Sequence, residues 1–357
     1  MTTTSKPSTR NNPTTPAVVL DCDTGIDDAL ALMYLAGLVA AGEVQLRAVT
    51  TTAGNVDATQ TAYNSAYILR LCGLSTVPVV PGCPTPLRVP LTTTPETHGP
   101  HGLGYVIPPL ISTPTVAVTP GVVPAGDVVG VGASDAGDVR AGDFAVEPTQ
   151  PAPWQTLWQE HLCDDTTLIV TGPATNLATY IHNHPWPPHV CLMGGAYLYP
   201  GNTTPTAEWN TWVDPHAAAT VFRSDNSITV CSLEVTEQLL LTPVRLTHLQ
   251  NLLGMHPLSA ILPDMLRFYF EFHDAMGEGY QAQIHDLLTT MVALNTITYR
   301  STHVAVDVET ESPLLRGTTV ADTKNHWGRN ANVKLVTNID PEQAWAEFFR
   351  AIKFLVL

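Results

Sequence analysis

Lysine is nearly missing from this chain: after Lys6 none occurs until Lys324, Lys334 and Lys353. With 32 acidic against 16 basic residues the formal charge is −16, which opposes binding to nucleic acid or to an anionic membrane surface. The six cysteines (Cys22, Cys72, Cys83, Cys163, Cys191 and Cys231) form no CxxC pair and no regular spacing. Neither a disulfide framework nor a zinc cluster is signalled. Cys22, Cys191 and Cys231 lie in apolar runs and read as buried free thiols. No apolar run reaches membrane-spanning length, and Met1 to Pro16, rich in Thr, Pro and Asn, has no apolar stretch of the secretory-signal kind. The expectation is a cytoplasmic protein with a disordered tail over 1–16 and one domain over 17–357.

What the chain does have is a crowd of aspartates. In Val18-Val19-Leu20-Asp21-Cys22-Asp23-Thr24-Gly25-Ile26-Asp27-Asp28-Ala29-Leu30, four carboxylates fall within eight residues. Val18 to Leu20 read as a buried parallel strand. Thr24-Gly25 breaks it, and Thr24 with Asp27 three residues on is a capping-box pattern that predicts a helix start. Asp21 and Asp23 share one side of the strand by its two-residue period, and Asp27 and Asp28 sit in the first helical turn. The cluster therefore belongs at the carboxyl end of a strand, where open α/β sheets place their ligands. Carboxylates so close need a counter-charge, and a hard divalent cation supplies one. A single acidic helix cap explains one aspartate, not four.

Strand and helix signals alternate along most of the chain. Helices are predicted over 26–41, 57–71, 154–161 and 214–222, after Asn176, across most of 246–279, from His285-Asp286 to Asn295, and over 341–354. Strands are predicted at 44–51, 77–82, 166–170, 189–193 and 228–235, and near Val304, Thr318 and Val333. This spacing implies an α/β fold with an open, doubly wound, mainly parallel sheet and helices on both faces. His98-Gly99-Pro100-His101-Gly102-Leu103-Gly104 reads as a glycine-rich loop. Ile111 to Pro153 differs in kind: Phe144 is its only aromatic, so it reads as a flexible surface insertion. Gly130-Val131-Gly132 within it mimics a dinucleotide loop, but no helix-forming run follows. His182, His184 and His189 lie among prolines in a connecting loop and read as surface residues rather than a zinc site.

Further polar groups fall where strands end: Asn55, Thr171, and the run Asn202 … Glu208-Trp209-Asn210 after Met193-Gly194-Gly195. With Gly54-Asn55, His98-Gly99, Thr171-Gly172-Pro173 and His285-Asp286 following in order, the aspartate cluster resembles the signature of the inosine-uridine preferring nucleoside hydrolases. The resemblance covers about residues 17 to 355 apart from the insertion. It implies Ca²⁺-dependent hydrolysis of the N-glycosidic bond of ribonucleosides, giving free base and ribose. Asp23, Asp28, the Thr171 carbonyl and Asp286 would ligate the Ca²⁺, and Asp23 would take a proton from the attacking water. Asp27 and Asn55 would hold the ribose 2′-hydroxyl, Asn210 the 3′-hydroxyl, and Asn202 and Glu208 the 5′ end. Met193 and Trp209 would form an apolar wall. His285 would be the acid that protonates the departing base, with His98 as a base contact or alternative donor. In this family a histidine at the place of His285 accompanies acceptance of inosine and uridine or a preference for pyrimidines. The resemblance also implies a homo-oligomer, dimer or tetramer, with a small nucleoside as its only ligand besides the metal, and neither nucleic acid nor membrane as partner.

Two departures stand out. Thr24 occupies a place where many relatives carry proline. The helical stretch before His285 offers Tyr269, His273, Gly277 and Tyr280 as base contacts without a clear alignment, which leaves the preferred base open. A purine-specific hydrolase and a non-catalytic Ca²⁺- or nucleoside-binding relative are the alternatives within the family. Phosphatases of the haloacid-dehalogenase kind also open on aspartates after a first strand, but they need a downstream lysine that the gap from Lys6 to Lys324 denies.

Overall fold

The computed structural model of the chain describes residues 2–5, 15–109, 151–224 and 226–357. Along these run strands β1 (Thr2–Ser5), β2 (Ala17–Cys22), β3 (Gln45–Thr51), β4 (Val79–Pro81), β5 (Thr166–Val170), β6 (His189–Met193), β7 (Ile228–Cys231), β8 (Leu240–Leu241), β9 (Ala282–Gln283), β10 (Tyr299–Val308), β11 (Thr319–Asp322) and β12 (Val333–Ile339). The helices are α1 (Ile26–Ala40), α2 (Ala58–Leu71), α3 (Pro95–His98), α4 (Pro153–His161), α5 (Thr175–Asn183), α6 (Trp209–Val213), α7 (Pro215–Phe222), α8 (Leu233–Thr236), α9 (Pro243–Leu253), α10 (Leu258–Ala275), α11 (His285–Ala293) and α12 (Pro341–Ile352).

The main sheet has the order β1-β10-β12-β7-β6-β5-β2-β3-β4 with β11 beside β10. From β12 to β4 every pairing is parallel, and β1, β10 and β11 join antiparallel at one side. The chain leaves β2 toward β3 and β4, then returns to the other flank of β2 at β5 and continues to β6 and β7. The gap between β2 and β5 is thus the point where the winding reverses, the usual seat of a ligand in such sheets. The doubly wound, mainly parallel α/β architecture read from the sequence is the one found.

Strand alternation feeds two cores. Val18, Leu20 and Cys22 point to the side covered by α1, α2, α10, α11 and α12. Val19, Leu168, Val170 and Leu192 point to the side covered by α4, α5 and α7, around Trp158 and Phe222. Helix α1 is buried on all sides from Ile26 to Leu38, as a helix with apolar residues round its whole circumference must be.

Some boundaries differ from those read off the sequence. The capping interaction of α1 is made by Gly25 and Asp28, not Thr24 and Asp27: the Gly25 N–H donates to Asp28 Oδ2 at 2.9 Å. Thr24 Oγ1 turns instead to Ser65 Oγ, 2.5 Å away. β7 stops at Cys231, and Leu233 to Thr236 coil into α8. An apolar run of that length does not reveal its period. His98 is no loop residue but closes the one-turn helix α3, its N–H donating to the Thr94 carbonyl at 3.2 Å. Within the stretch read as a tail, Thr2–Ser5 pairs with Tyr299–Thr302. The insertion lies almost wholly outside the described residues, and Pro153 at its end already opens α4.

α1 meets the end of α12 at Gly37, where an added Cβ would land on the carbonyl of Ala351, 2.7 Å from its carbon. In a free helix Gly→Ala gains up to about 1 kcal/mol. Here overpacking against backbone, at roughly 1–3 kcal/mol, outweighs that gain. Gly37→Ala should therefore lower Tm, and a thermal melt at or above the parent value would show that α12 yields freely.

Candidate functional site

The carboxyl ends of β2, β3, β5 and β6, with the first turn of α11, surround one cavity of about 320 Å³. β2 delivers Asp23, and the first turn of α1 delivers Asp27 and Asp28. β3 ends near Asn55, β5 at Thr171, β6 at Met193. The pairing of β8 with β9 and the Ile284 N–H to Leu239 carbonyl bond (3.0 Å) set the start of α11, which carries His285 and Asp286. All four aspartates are at most 4 % exposed.

Ligand atoms of Asp27, Asp28 and Asp286 lie within 4.8 Å of one another, a grouping that can hold a metal ion. Asp23 is set slightly apart. Its Oδ2 accepts the Asn55 backbone N–H at 2.8 Å, and its carbonyl accepts the Asn55 side-chain amide at 3.2 Å. Glycines wall it in: a Cβ on Gly54 would strike its carboxylate, and one on Gly172 would come 2.9 Å from its Oδ1. Asp28 accepts from Thr171 Oγ1 at 2.7 Å on the oxygen not used by Gly25. The Thr171 carbonyl accepts from Asn210 Nδ2 at 2.7 Å.

Burial, and after it the neighbouring Asp28 carboxylate, raises Asp23 well above the usual carboxylate range and pushes Asp27 up to about 7. Burial likewise raises Asp28, and burial with repulsion from Asp27 raises Asp286 strongly. Among the described residues lining the cavity there is no lysine or arginine to relieve this. A hard cation fits the donor set: oxygen ligands, buried and mutually repelling.

Asp21, which the two-residue period put beside Asp23, faces the other way. Its Oδ1 accepts from Thr50 Oγ1 (2.6 Å) and Asn176 Nδ2 (2.7 Å) beneath the sheet end. It braces α5 rather than joining the cavity.

The other residues singled out in the sequence also reach the cavity wall: Asn202, Glu208, Trp209, Asn210, Met193, His98 and His285. Glu208 accepts three backbone N–H groups, from Gly195, Asn210 and Thr211, at 2.7–3.0 Å. It organises two loops as well as lining the site. Asn202 Oδ1 accepts the Trp209 N–H at 2.9 Å. His98 Nδ1 accepts the Ile26 N–H at 3.2 Å, so neutral His98 carries its proton on Nε2. His285 Nδ1 lies 2.8 Å from Thr236 Oγ1, whose hydroxyl also reaches the Ser232 carbonyl at 3.2 Å. Burial first, then the proximity of His273, pushes both imidazoles down to about 3.

α10 supplies a wall that the sequence did not place, with Tyr269, Phe272 and His273 on one face and Met276 just beyond. The i, i+4 spacing of Tyr269 and His273 was the available signal. Tyr280 is not part of it, packing edge-on against Phe270 at 5.3 Å, and Gly277 serves as a turn at φ +82°. His182 and His189 are exposed, and His184 lies against Tyr180 with ring centres 4.5 Å apart. No helix among the described residues is long and apolar enough to cross a membrane.

Residues 18–346 match the family model described as inosine-uridine preferring nucleoside hydrolase. The pyrimidine-specific ribonucleoside hydrolase RihA of Shewanella sp. (strain ANA-3) is 32% identical over 328 residues, 90% of this chain and 92% of that one. The inosine-uridine preferring nucleoside hydrolase of Leishmania major is 28% identical over 341 residues, 94% and 97% of the two chains. Among solved structures, the purine-preferring ribonucleoside hydrolase from Gardnerella vaginalis superposes with a TM-score of 0.75 at 26% identity, covering 95% of this chain and 98% of that one. A plant nucleoside hydrolase shares the fold with a TM-score of 0.74 at 23% identity, covering 95% and 99%.

Cation binding should be visible in stability. A ligand at 100 times its Kd adds about 2.7 kcal/mol to a folded state that alone binds it. Ca²⁺ added to chelator-treated protein should raise Tm by several degrees, and Asp28→Asn should abolish most of that rise. A Tm indifferent to Ca²⁺ in the parent would refute Ca²⁺ as the cation at these carboxylates.

Proposed function

This chain belongs to the inosine-uridine preferring nucleoside hydrolase family and is a nucleoside hydrolase acting on ribonucleosides; from that premise we propose that it cleaves the N-glycosidic bond of inosine, uridine or pyrimidine nucleosides with one Ca²⁺ at the aspartate cluster. The observation that carries this is the convergence of Asp23, Asp27, Asp28 and Asp286 at the winding reversal, beside an aromatic wall in the same cavity.

Asp28, Asp286, Asp23 and the Thr171 carbonyl would hold the ion, and Asp27 is grouped with Asp28 and Asp286. When bound, the ion supplies positive charge that keeps these carboxylates ionised and a Lewis acid that lowers the pKa of a nearby water. The chain's own residues do the rest. Asp23, with Oδ2 tethered by Asn55, takes the proton from the attacking water through its other oxygen. Asp27, Asn55 and Asn210 hold the ribose diol. Asn202 and Glu208 stand at the 5′ end, and Met193 and Trp209 cover the sugar. Bond breaking builds positive charge on the ribosyl ring, and an anionic surround favours that charge over the neutral ground state.

The base leaves toward Tyr269, His98 and His285. His285 Nδ1–H is anchored on Thr236, so the proton it gives the base travels through Nε2. His98, donating through Nε2, steadies the base from the α3 side. The names of the relatives favour uridine and inosine as first substrates to try.

Asp23→Asn removes the general base, a contribution of about 10²–10⁴-fold. Its kcat on uridine should fall by at least about a hundredfold, and a value within tenfold of the parent would move the base role elsewhere. His285→Ala should lower kcat steeply on uridine and inosine but much less on 4-nitrophenyl riboside, whose leaving group departs without a proton. Equal losses on the three substrates would reduce His285 to a helix-start residue beside Asp286.

A further inference from the structure

The cavity wall at the end of α10 carries a second polar constellation that the sugar chemistry does not use. Beyond α10, Gly277 and Gly279, at φ +82° and +87°, turn the chain back so that Glu278 meets His273. His273 Nδ1 stands 2.6 Å from Glu278 Oε2, and the Gln283 side-chain amide donates to the same oxygen at 3.3 Å. The Gln283 backbone N–H closes on His273 Nε2 at 3.4 Å. His273 therefore donates through one nitrogen and accepts at the other, and its hydrogen-bonding capacity is spent inside the protein. Glu278 Oε1 is different: it accepts no hydrogen bond from any described residue, on a side chain 47% exposed at the cavity wall. Gln283, also on that wall, keeps a second amide N–H.

We propose, resting on the N-glycosidase reading above, that Glu278 and Gln283 are the edge by which this site selects its base. Glu278 Oε1 accepts a ring N–H on the outer edge of the base, and the Gln283 amide donates to the carbonyl beside it. That N–H next to C=O is the pattern of uracil and hypoxanthine. A base with a bare ring nitrogen at that place points a lone pair at a carboxylate, and the contact turns repulsive. His273 is a positioning residue here, holding the carboxylate through Oε2 so that Oε1 faces the cavity. Tyr269, one turn earlier on the same face of α10, provides the apolar floor.

Methylation of the ring nitrogen isolates the contact. The parent enzyme, Glu278→Gln and Glu278→Ala are compared on uridine, 3-methyluridine and 4-nitrophenyl riboside. In Glu278→Gln the amide oxygen is drawn to the donors of His273 and Gln283, so an NH₂ group meets the base N–H. A hydrogen bond to a charged group is commonly worth about tenfold or more in affinity. The parent should prefer uridine over 3-methyluridine by about tenfold or more in kcat/KM, chiefly through KM. In both variants that preference should shrink to within about threefold, while 4-nitrophenyl riboside suffers far less than uridine. Release of uracil from uridine by the parent separately checks the N-glycosidase reading, and hydrolysis of 4-nitrophenyl riboside, an O-riboside, checks that the sugar end of the site is intact. A preference for uridine that survives both substitutions overturns the assignment, and so do equal losses on all three substrates, which would make Glu278 a purely structural partner of His273.

Discussion

Mutual repulsion among four buried carboxylates is the constraint on which the rest of the site depends. Burial raises all four, and repulsion from neighbouring carboxylates adds to it at Asp23, Asp27 and Asp286, so Asp23, Asp27, Asp28 and Asp286 all sit above their ordinary titration range. A fold selected for stability alone would not assemble them. They are held because backbone and hydroxyl donors from separate elements fix them one by one: Gly25 and Thr171 on Asp28, Asn55 on Asp23. Glycines at 25, 54 and 172 let those elements approach, since a Cβ at any of the three would meet the site's own side chains within 3 Å. The strain is thus maintained by design of the surroundings, as at functional sites generally.

The same logic explains the saturation of the surrounding polar groups. The Thr171 carbonyl already holds Asn210, and Glu208 already caps α6 and receives Gly195. Removing one such partner strands a buried donor or acceptor, at roughly 1–3 kcal/mol. These residues therefore fix one another's geometry before a nucleoside arrives, and a preorganised polar site stabilises developing charge without rearranging.

How much of this was legible beforehand follows from sequence distance. The aspartate cluster, its seat on β2 and α1, and the alternation that makes the sheet parallel are local patterns with strong periods. Asp286, Asn55, Thr171 and Asn210 were found because each falls at the end of a strand or the start of a helix. What the sequence hid depended on tertiary approach. Asp21 and Asp23 look equivalent by period, yet the strand ends at Cys22, and Asp21 is claimed by Thr50 and Asn176 from other elements. The helix cap shifted from Thr24 to Gly25 because Ser65 on α2 captures the Thr24 hydroxyl. Glu278 gave no signal: an exposed acid between two glycines is ordinary turn chemistry until α10 brings His273 to it.

The carboxylates and the imidazoles of the cavity set opposite electrostatic problems, and in the proposed mechanism one change of state addresses both. Burial raises the carboxylates and lowers His98, His273 and His285, so every group is pushed toward its neutral form. Neutral carboxylic acids ligate poorly, and a neutral imidazole anchored through Nδ1 has no proton to give at Nε2. With a divalent cation bound the aspartates would be ionised, but four carboxylates against two positive charges would leave the cluster still negative. A negative cluster in the same cavity favours protonation of a nearby imidazole and favours the positive ribosyl ring that forms between them. In the proposed mechanism, base protonation and sugar-cation stabilisation are therefore not independent devices. Both would draw on one excess of negative charge, since the site buries more carboxylates than a divalent ion would neutralise.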